Sequence, residues 1–240
     1  MSSLKETTFL HFRRHSIPVH ILSEYWYCAA KIPNLKLQGD IDTPTLLEGR
    51  AIHEEEAEET IAKLGPLRRV EVKTVFDVML LSYRNIKYAL KRRKILANAE
   101  GKLLFATILP ELAILGKPDR VDCSDGINPI IIETKTKDTL PTRVWPDHEL
   151  QVGAYMLGLE RLNFHPTHGL LEYVVRSDPS KRTTYRIHLK DHLREKILST
   201  AMSVGRLLLN KEEPMPTKNP RKCVKCRFAG TCAWKPSVFI

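Results

Sequence analysis

The chain has 240 residues, 42% of them hydrophobic and 28% charged, with a net charge of +10. This length predicts one large domain or one domain with a small appendage, and this composition excludes a fibrous or disordered chain. No apolar run approaches the roughly 18 residues that a membrane-spanning helix needs, and Met1–His15 lacks the apolar core of a signal peptide. We therefore expect a cytoplasmic protein with no membrane partner, and the basic excess slightly favours a nucleic acid.

Helices are predicted for the first hundred residues. Apolar residues at helical spacing predict a helix from Ser16 to Lys31. A second helix begins at Thr43-Pro44, because Thr is a good cap and Pro fits the first helical position, and it ends before Gly65-Pro66. A third helix is predicted for Phe76–Ala99. Residues 1–100 are therefore predicted as an N-terminal helical part.

Short strands are predicted to follow. Between Leu103 and Lys137, short apolar runs alternate with Pro and Gly, which is typical of a strand meander. A helix is predicted for Asp147–Arg161, strands for Gly169–Arg176 and Thr183–Leu189, and a helix for Asp191–Leu209. This order predicts an α/β fold with a mixed central sheet flanked by helices.

Charged side chains follow a predicted buried strand in the middle of the chain. Ile130 to Ile132 is typical of a strand buried on both faces. Glu133 and Lys135 are two residues apart and therefore leave this strand on the same side, and Asp119 on the preceding strand can come alongside. Two carboxylates beside a lysine predict a site for Mg²⁺ or Mn²⁺, because these hard ions prefer oxygen ligands. An isolated E-x-K motif, in contrast, is more often a surface ion pair.

Further motifs lie on either side of this strand. His53 ends a G-x-x-x-H motif on the second predicted helix, and Gln151 and Tyr155 are four residues apart, so they share one helix face. The chain thus contains, in order, G-x-x-x-H, a G-x-x-D motif that begins at Gly116, E-x-K and Q-x-x-x-Y. Each motif is weak alone, and the specific feature is their order.

The five cysteines predict a metal site. An odd number of cysteines without an export signal argues against a disulfide framework. Cys223, Cys226 and Cys232 form a C-x2-C-x5-C pattern, and a closed site needs a fourth thiolate, for which Cys28 and Cys123 are the candidates. Cys123 can also be explained as a small buried residue beside Asp119, and the spacing alone leaves both candidates open. Four thiolates alone do not distinguish zinc from an iron–sulfur cluster.

Together these motifs resemble those of the RecB-type branch of the PD-(D/E)XK nucleases. The cysteines make the chain similar to the iron–sulfur members of that branch, above all the CRISPR-associated RecB-like exonucleases, the fourth Cas family. The resemblance extends from Tyr25 to Cys232. It implies a restriction-endonuclease-like core within a single nuclease domain, residues 1–240, with the catalytic core in 101–190 and a C-terminal helix and iron–sulfur segment in 191–240. One departure is that Ala29-Ala30-Lys31 follows Cys28, where the family often has Pro-Arg.

The resemblance also implies roles for individual residues. At the catalytic site these roles are metal binding by His53, Asp119 and Glu133, catalysis by Lys135, and support of the site and the DNA by Gln151 and Tyr155. At the second site, Cys28 would complete the ligand set of Cys223, Cys226 and Cys232. The cluster would usually be 4Fe–4S, with 2Fe–2S as the variant, and its role would be mainly structural.

Basic and aromatic residues are candidates for DNA contacts. Positive side chains that lie near one face of the third predicted helix are Arg84, Lys87, Lys91 and Lys94. Such a stripe suits phosphate neutralisation, although a solvated helix face explains it equally well. A base could stack on Trp145, although a Trp that precedes a Pro is more often an anchor of the core or of a loop.

The implied activity is that of a metal-dependent DNA exonuclease acting on single-stranded ends. By resemblance, it would trim DNA fragments before their integration into a CRISPR array, with the integrase complex as a partner. Two alternatives remain at this stage. One is a non-catalytic adaptor that binds DNA ends, which the complete set of motif residues disfavours. The other is a replication or repair nuclease with the same core.

Overall fold

A computed structural model describes residues 15–39, 42–44, 46–53, 96–97, 103–106, 112–116, 118–122, 129–161 and 164–235. These residues form an α/β fold with one five-stranded and one three-stranded sheet. Within these ranges, no helix is both long enough and apolar enough to cross a membrane.

The strands are β1 (His15–Pro18), β2 (Leu96–Ala97), β3 (Leu103–Ala106), β4 (Leu112–Gly116), β5 (Arg120–Asp122), β6 (Ile130–Lys137), β7 (Gly169–Val175) and β8 (Asp178–Ile187). The helices are α1 (Val19–Tyr27), α2 (Lys31–Gln38), α3 (Pro146–Arg161), α4 (Asp191–Leu208) and α5 (Pro220–Val224). Residues 46–53 are also helical.

The larger sheet has the strand order β2-β5-β6-β7-β8. Its β6 and β7 strands are parallel, whereas the other neighbouring pairs are antiparallel. The sheet is therefore mixed, as the sequence predicts. The β6 strand lies in the centre, and its residues from Ile131 to Thr134 are buried, which agrees with the apolar run before the E-x-K motif. The smaller sheet has the order β1-β4-β3, with β1 parallel to β4.

Helix α3 packs between the larger sheet and helices α1 and α4. Two glycines permit this close packing. A Cβ atom on Gly169 at the start of β7 would lie 2.4 Å from Val152 Cγ1, and one on Gly153 would lie 2.8 Å from Leu193 Cδ2. Such distances are shorter than any normal carbon–carbon contact. The glycines therefore bring α3, which carries the Q-x-x-x-Y motif, directly against the sheet and against α4.

The predicted helix from Ser16 to Lys31 is wrong in its extent. Its first residues form β1, where Ile17 pairs with Ile114, and α1 begins only after Pro18, whose φ of −60° and ψ of 137° are extended. The helix then ends before Cys28, also extended, and α2 is separate. Helical spacing of apolar residues does not reveal strand pairing with a segment almost 100 residues away, and this pairing determines the local structure.

The third predicted helix also ends too late. Leu96 and Ala97 form β2, which pairs antiparallel with β5, and residues 76–95 of this prediction lie outside the described residues. The start of the second predicted helix is confirmed, because the backbone N–H of Leu46 donates to Thr43 Oγ1 at 3.4 Å. Its end near residue 63 lies outside the described residues. The predicted helices that begin at Asp147 and Asp191 are confirmed.

Candidate active site

The centre of the site is one face of β6. Glu133 and Lys135 point to the same side of the strand, and Lys135 Nζ donates a hydrogen bond to Glu133 Oε1 at 2.8 Å. Asp119 lies directly before β5, the antiparallel neighbour of β6. Its Oδ2 atom accepts a hydrogen bond from the backbone N–H of Thr134 at 2.7 Å. The sheet therefore brings together the two carboxylates and the lysine that the sequence singles out.

His53 comes to this group from the helical residues 46–53. Its Nδ1 atom lies 3.2 Å from Asp119 Oδ1. The glycine of the G-x-x-x-H motif permits the approach, since a Cβ atom on Gly49 would lie 3.1 Å from Thr136 Oγ1 on β6. Glu48 on the same helix is 3.1 Å from Arg176 Nη1, which fixes the helix to the end of β7.

Gln151 and Tyr155 reach the same site from α3. Gln151 Nε2 donates to Glu133 Oε1 at 2.6 Å and to the Tyr155 hydroxyl at 3.3 Å. The glycine of the G-x-x-D motif makes room for this tyrosine, because a Cβ atom on Gly116 would lie 2.4 Å from Tyr155 Cε1 and 2.7 Å from Val19 Cγ2. The four motifs therefore converge on one group of hydrogen-bonded side chains.

The two carboxylates have different acidities. Burial raises the pKa of Glu133 to about 7, and the nearby Asp119 charge adds to this effect against the opposing charge of Lys135. Burial also acts to raise the pKa of Asp119, but its hydrogen bond to His53 and the positive charges of His53 and Lys135 outweigh this effect, so the pKa is lowered. Asp119 is therefore the more acidic member of the pair, and Glu133 is the less acidic member.

The two basic side chains have raised pKa values despite their burial. Burial acts to lower the pKa of Lys135, but the Glu133 and Asp119 carboxylates outweigh this effect and raise the pKa. Burial also acts to lower the pKa of His53, but its hydrogen bond and charge contact with Asp119 outweigh this effect and raise the pKa. The carboxylates therefore favour the protonated forms of Lys135 and His53.

The donor atoms suit a divalent ion. Glu133 Oε2 is buried and, among the residues that the structure describes, has no hydrogen-bond partner, an arrangement that is costly unless another group binds it. Carboxylate oxygens together with an imidazole nitrogen are ligands for Mg²⁺ or Mn²⁺. Among the described residues, however, no three His, Cys, Asp or Glu side chains are already arranged around one ion. The donors therefore fit the ion chemically, and binding it would replace the contact of His53 with Asp119.

The four cysteines of the predicted second site line a single cavity. This cavity lies between α1, α2 and the segment that includes α5. The pKa of Cys223 shows that the three other cysteines of the cavity lie nearby. Burial raises this pKa, and Cys28, Cys226 and Cys232 raise it further. The structure thus brings together the four cysteines that the sequence analysis selected. Cys123 lies outside the described residues.

Polar groups surround the sulfur atoms of this cavity. The backbone N–H of Thr217 donates to Cys28 Sγ at 3.3 Å, and Asn34 Nδ2 on α2 donates to Cys232 Sγ at 3.4 Å. Burial raises the pKa of Tyr27 to about 12, with Cys226 and Cys223 contributing. Hydrogen bonds of this kind favour the thiolate form, which is the form that binds metal.

The predicted DNA contacts are described only in part. The basic residues Arg84, Lys87, Lys91 and Lys94 lie outside the described residues. Trp145 is 40% exposed, and its ring has two neighbours. Lys137 Nζ lies 3.8 Å from the ring centroid, and the His148 ring stacks on it with a centroid distance of 5.3 Å. The indole therefore lies on the same side of β6 as Lys135, next to a second lysine of that strand.

Sequence reasoning missed two residues near the site. Ser23 Oγ on α1 lies 3.2 Å from Gln151 Oε1, and no motif marks this serine. His148 is 7% exposed, with its Nδ1 atom 2.9 Å from the Tyr173 hydroxyl. Burial lowers the pKa of His148 to about 2, and the charges of Lys135 and Lys137 add to this effect. The spacing of three residues between His148 and Gln151 on one helix could have indicated that this histidine faces the site.

Comparison with known proteins agrees with this arrangement. A model of the PD-(D/E)XK nuclease superfamily matches residues 24–233. The chain is 28% identical over 176 residues to a CRISPR-associated exonuclease Cas4/endonuclease Cas1 fusion from Myxococcus xanthus (strain DK1622). That alignment covers 71% of the chain and 29% of the relative, so the chain spans less than a third of the length of this relative.

Two solved structures share the fold. The crystal structure of SSO0001 has a TM-score of 0.57 at 14% identity, over 96% of the chain and 92% of SSO0001. A protein from Eubacterium rectale whose name describes it as an exonuclease has a TM-score of 0.50 at 12% identity, over 89% of the chain and 86% of that protein. At these identities the likeness concerns the fold alone, and with the superfamily match it confirms the fold predicted from the sequence.

Proposed function

Because the chain belongs to the PD-(D/E)XK nuclease superfamily, we propose that it is a Mg²⁺- or Mn²⁺-dependent DNA exonuclease that acts on single-stranded ends. One observation carries the proposal: Asp119, Glu133 and Lys135 meet on one side of the β5–β6 pair, and one buried Glu133 oxygen lacks a hydrogen-bond partner within the described part of the chain. The similarity to the Cas4/Cas1 fusion supports a role in processing DNA fragments for CRISPR spacer acquisition, with the integrase as a partner.

Each side chain then has a defined task. His53, Asp119 and Glu133 would hold the ion, which when bound lowers the pKa of a water molecule and polarises a phosphoryl oxygen. The Lys135 ammonium group positions the nucleophile or stabilises negative charge that develops on the phosphate. Gln151 keeps Glu133 Oε1 in place through its hydrogen bond of 2.6 Å, which leaves Oε2 of the same carboxylate for the ion.

Cleavage of end-labelled single-stranded DNA tests the proposal. The parent protein should degrade the DNA in Mg²⁺ or Mn²⁺ and leave it intact in EDTA. Asp119→Ala and Glu133→Ala should abolish turnover but retain DNA binding, because they remove ion ligands rather than phosphate contacts. Lys135→Ala should abolish cleavage with metal binding largely intact, and Lys135→Arg should not restore it, since a planar fork cannot replace a compact charge.

A matched control is available on the opposite face of the sheet. Glu172 pairs in register with Thr134 on β6, so it lies on the other face from Glu133, where its carboxylate bonds Arg120 at 2.6 Å. Glu172→Gln should therefore cut DNA like the parent. A circular single-stranded substrate should survive if the enzyme needs an end. If the Asp119 and Glu133 variants cut as well as the parent, these residues do not form the nuclease site. If the parent binds DNA ends but does not cut them, the non-catalytic DNA-end-binding adaptor replaces the enzyme.

We also propose that the four cysteines hold an iron–sulfur cluster, 4Fe–4S rather than 2Fe–2S. Their common cavity and the hydrogen bonds to Cys28 and Cys232 support this proposal. Protein purified without oxygen should be brown, with iron and acid-labile sulfide, and Cys226→Ala should bleach it and lower its stability. Stoichiometric zinc without iron would overturn the cluster, and full metal retention in Cys28→Ala would exclude Cys28 as a ligand.

A further inference from the structure

Ser23 connects α1 to the catalytic side of α3. Its Oγ atom lies 2.9 Å from the backbone carbonyl oxygen of Asp147 and 3.2 Å from Gln151 Oε1. Both of these atoms accept hydrogen bonds, so the single hydroxyl hydrogen of Ser23 is shared between them. The serine therefore stands behind Gln151, on the side away from Glu133.

The contacts of Gln151 show why this position matters. The amide nitrogen of Gln151 can donate two hydrogen bonds, and it lies within bonding distance of Glu133 Oε1 and the Tyr155 hydroxyl. Its carbonyl oxygen faces Ser23. Gln151 is only 4% exposed, so solvent cannot readily replace a lost partner. With Ser23 present, every polar atom of this side chain is engaged.

We propose that Ser23 is a positioning residue for the nuclease reaction: by bonding Gln151 Oε1, it holds the amide nitrogen of Gln151 against Glu133 and so fixes the Glu133 carboxylate for metal binding. This inference rests on the proposed function. Without the hydroxyl, Gln151 Oε1 is buried and unpaired, an unfavourable state. The amide then turns to regain a partner and withdraws from Glu133 Oε1.

A rigid element holds the serine in place. Ser23 lies in the middle of α1, and the same helix is anchored to α4 by a hydrogen bond of 2.7 Å from Trp26 Nε1 to Thr200 Oγ1. Thr200 is buried like Gln151, and in the described part of the chain its hydroxyl bonds Trp26 and the backbone carbonyl oxygen of Lys196 rather than the catalytic side chains. Thr200→Val therefore removes an anchor of α1 without touching Gln151, and it is a matched control for effects that arise from helix stability alone.

The experiment measures Mn²⁺ binding and DNA cleavage in parallel. Ser23→Ala should weaken Mn²⁺ binding by calorimetry, or lower kcat at saturating Mn²⁺, by about 10–100-fold, the usual effect of losing a group that orients a metal ligand. KM for DNA should stay unchanged, because the hydrogen bonds of Ser23 go to Gln151 and to the backbone of Asp147 and the expected change is in the position of the Glu133 carboxylate. Ser23→Thr retains the hydroxyl and should restore both values, and Thr200→Val should match the parent in both.

The outcomes separate this inference from the proposed function. If the parent protein neither cuts DNA nor binds Mn²⁺, the proposed function fails. If the parent is active and Ser23→Ala equals it in Mn²⁺ binding and kcat, the positioning role is wrong. An equal loss in Ser23→Ala and Thr200→Val would also overturn it, because the effect would then come from α1 as a whole. If Ser23→Thr does not restore Mn²⁺ binding and kcat, the hydroxyl group is not what positions Gln151, and the inference is wrong.

Discussion

The buried His148 makes the stability of the protein depend on pH in a predictable way. Burial lowers its pKa in the folded state to about 2, whereas an unfolded histidine titrates near 6.5. The groups that face it explain why a proton is excluded: Lys135 and Lys137 repel it, and Nδ1 is within 2.9 Å of the Tyr173 hydroxyl. The one nearby anion, Asp147, lies 3.6 Å from Nε2 among the described residues.

The sign and size of the effect follow from linkage. Above pH 6.5 the histidine is neutral in both states and has no effect on the free energy of unfolding. Below pH 6.5 only the unfolded chain takes up the proton, so stability falls by about 1.4 kcal/mol for each pH unit until the folded pKa is reached. Between pH 7.5 and pH 5.0 the expected loss from His148 alone is about 2 kcal/mol.

Urea unfolding at these two pH values measures this contribution. His148→Phe keeps a ring in the site but removes the titrating group, so its loss between pH 7.5 and 5.0 should be smaller than that of the parent by about 2 kcal/mol. Contributions from all other groups cancel in the comparison. Tyr173→Phe retains His148 and should keep the pH dependence of the parent, because burial is the main cause. Equal losses in the parent and in His148→Phe would refute the reasoning.

Three further predictions concern separate parts of the structure. Gly116→Ala forces a Cβ atom against Tyr155 Cε1, and this overpacking should destabilise the protein by about 1–3 kcal/mol and lower its Tm. Gly230→Ala has open space around its Cβ and should leave Tm unchanged. Neutralising Lys87, Lys91 and Lys94 together should reduce the slope of log affinity for DNA against log salt concentration by about one unit per lost phosphate contact. An unchanged slope would show that these lysines are only a solvated helix face. Glu24→Gln removes the carboxylate 3.1 Å from Arg227, so the unfolding free energy should fall by about 3 kcal/mol; equal midpoints in urea would contradict this.

The sequence predicts the catalytic strand well because its signal is local. Three isoleucines before Glu133 indicate burial, and the spacing of two residues to Lys135 indicates a common face, so β6 and its charged side chains follow directly. The helix spacing of Gln151 and Tyr155 works in the same way. In each case the residues that form the pattern lie within a few positions of each other, so the periodicity of a single strand or helix is enough to predict that they share a face.

Where distant segments decide the local structure, the sequence is a poorer guide. Residues at the start of the first predicted helix become β1 because they pair with β4, and Leu96–Ala97 become β2 because they pair with β5. The position of Ser23 is hard to predict for the same reason, because its contact with α3 forms only when α1 packs against that helix. The position of His53 near Asp119 is expected only from the resemblance to a family, which makes both residues ligands of one ion, because a lone histidine on a helix has no distinguishing spacing.

Helix α1 links the two chemical sites of the molecule. It presents Ser23 to Gln151, and Cys28, which lines the thiol cavity, caps its C-terminal end through a backbone hydrogen bond to the carbonyl oxygen of Glu24. Glu24 in turn forms an ion pair with Arg227, which lies between Cys226 and Cys232 in the cysteine segment. The cysteine segment is therefore held on α1 by an ion pair, and α1 contacts both the thiol cavity, through Cys28, and the catalytic side of α3, through Ser23.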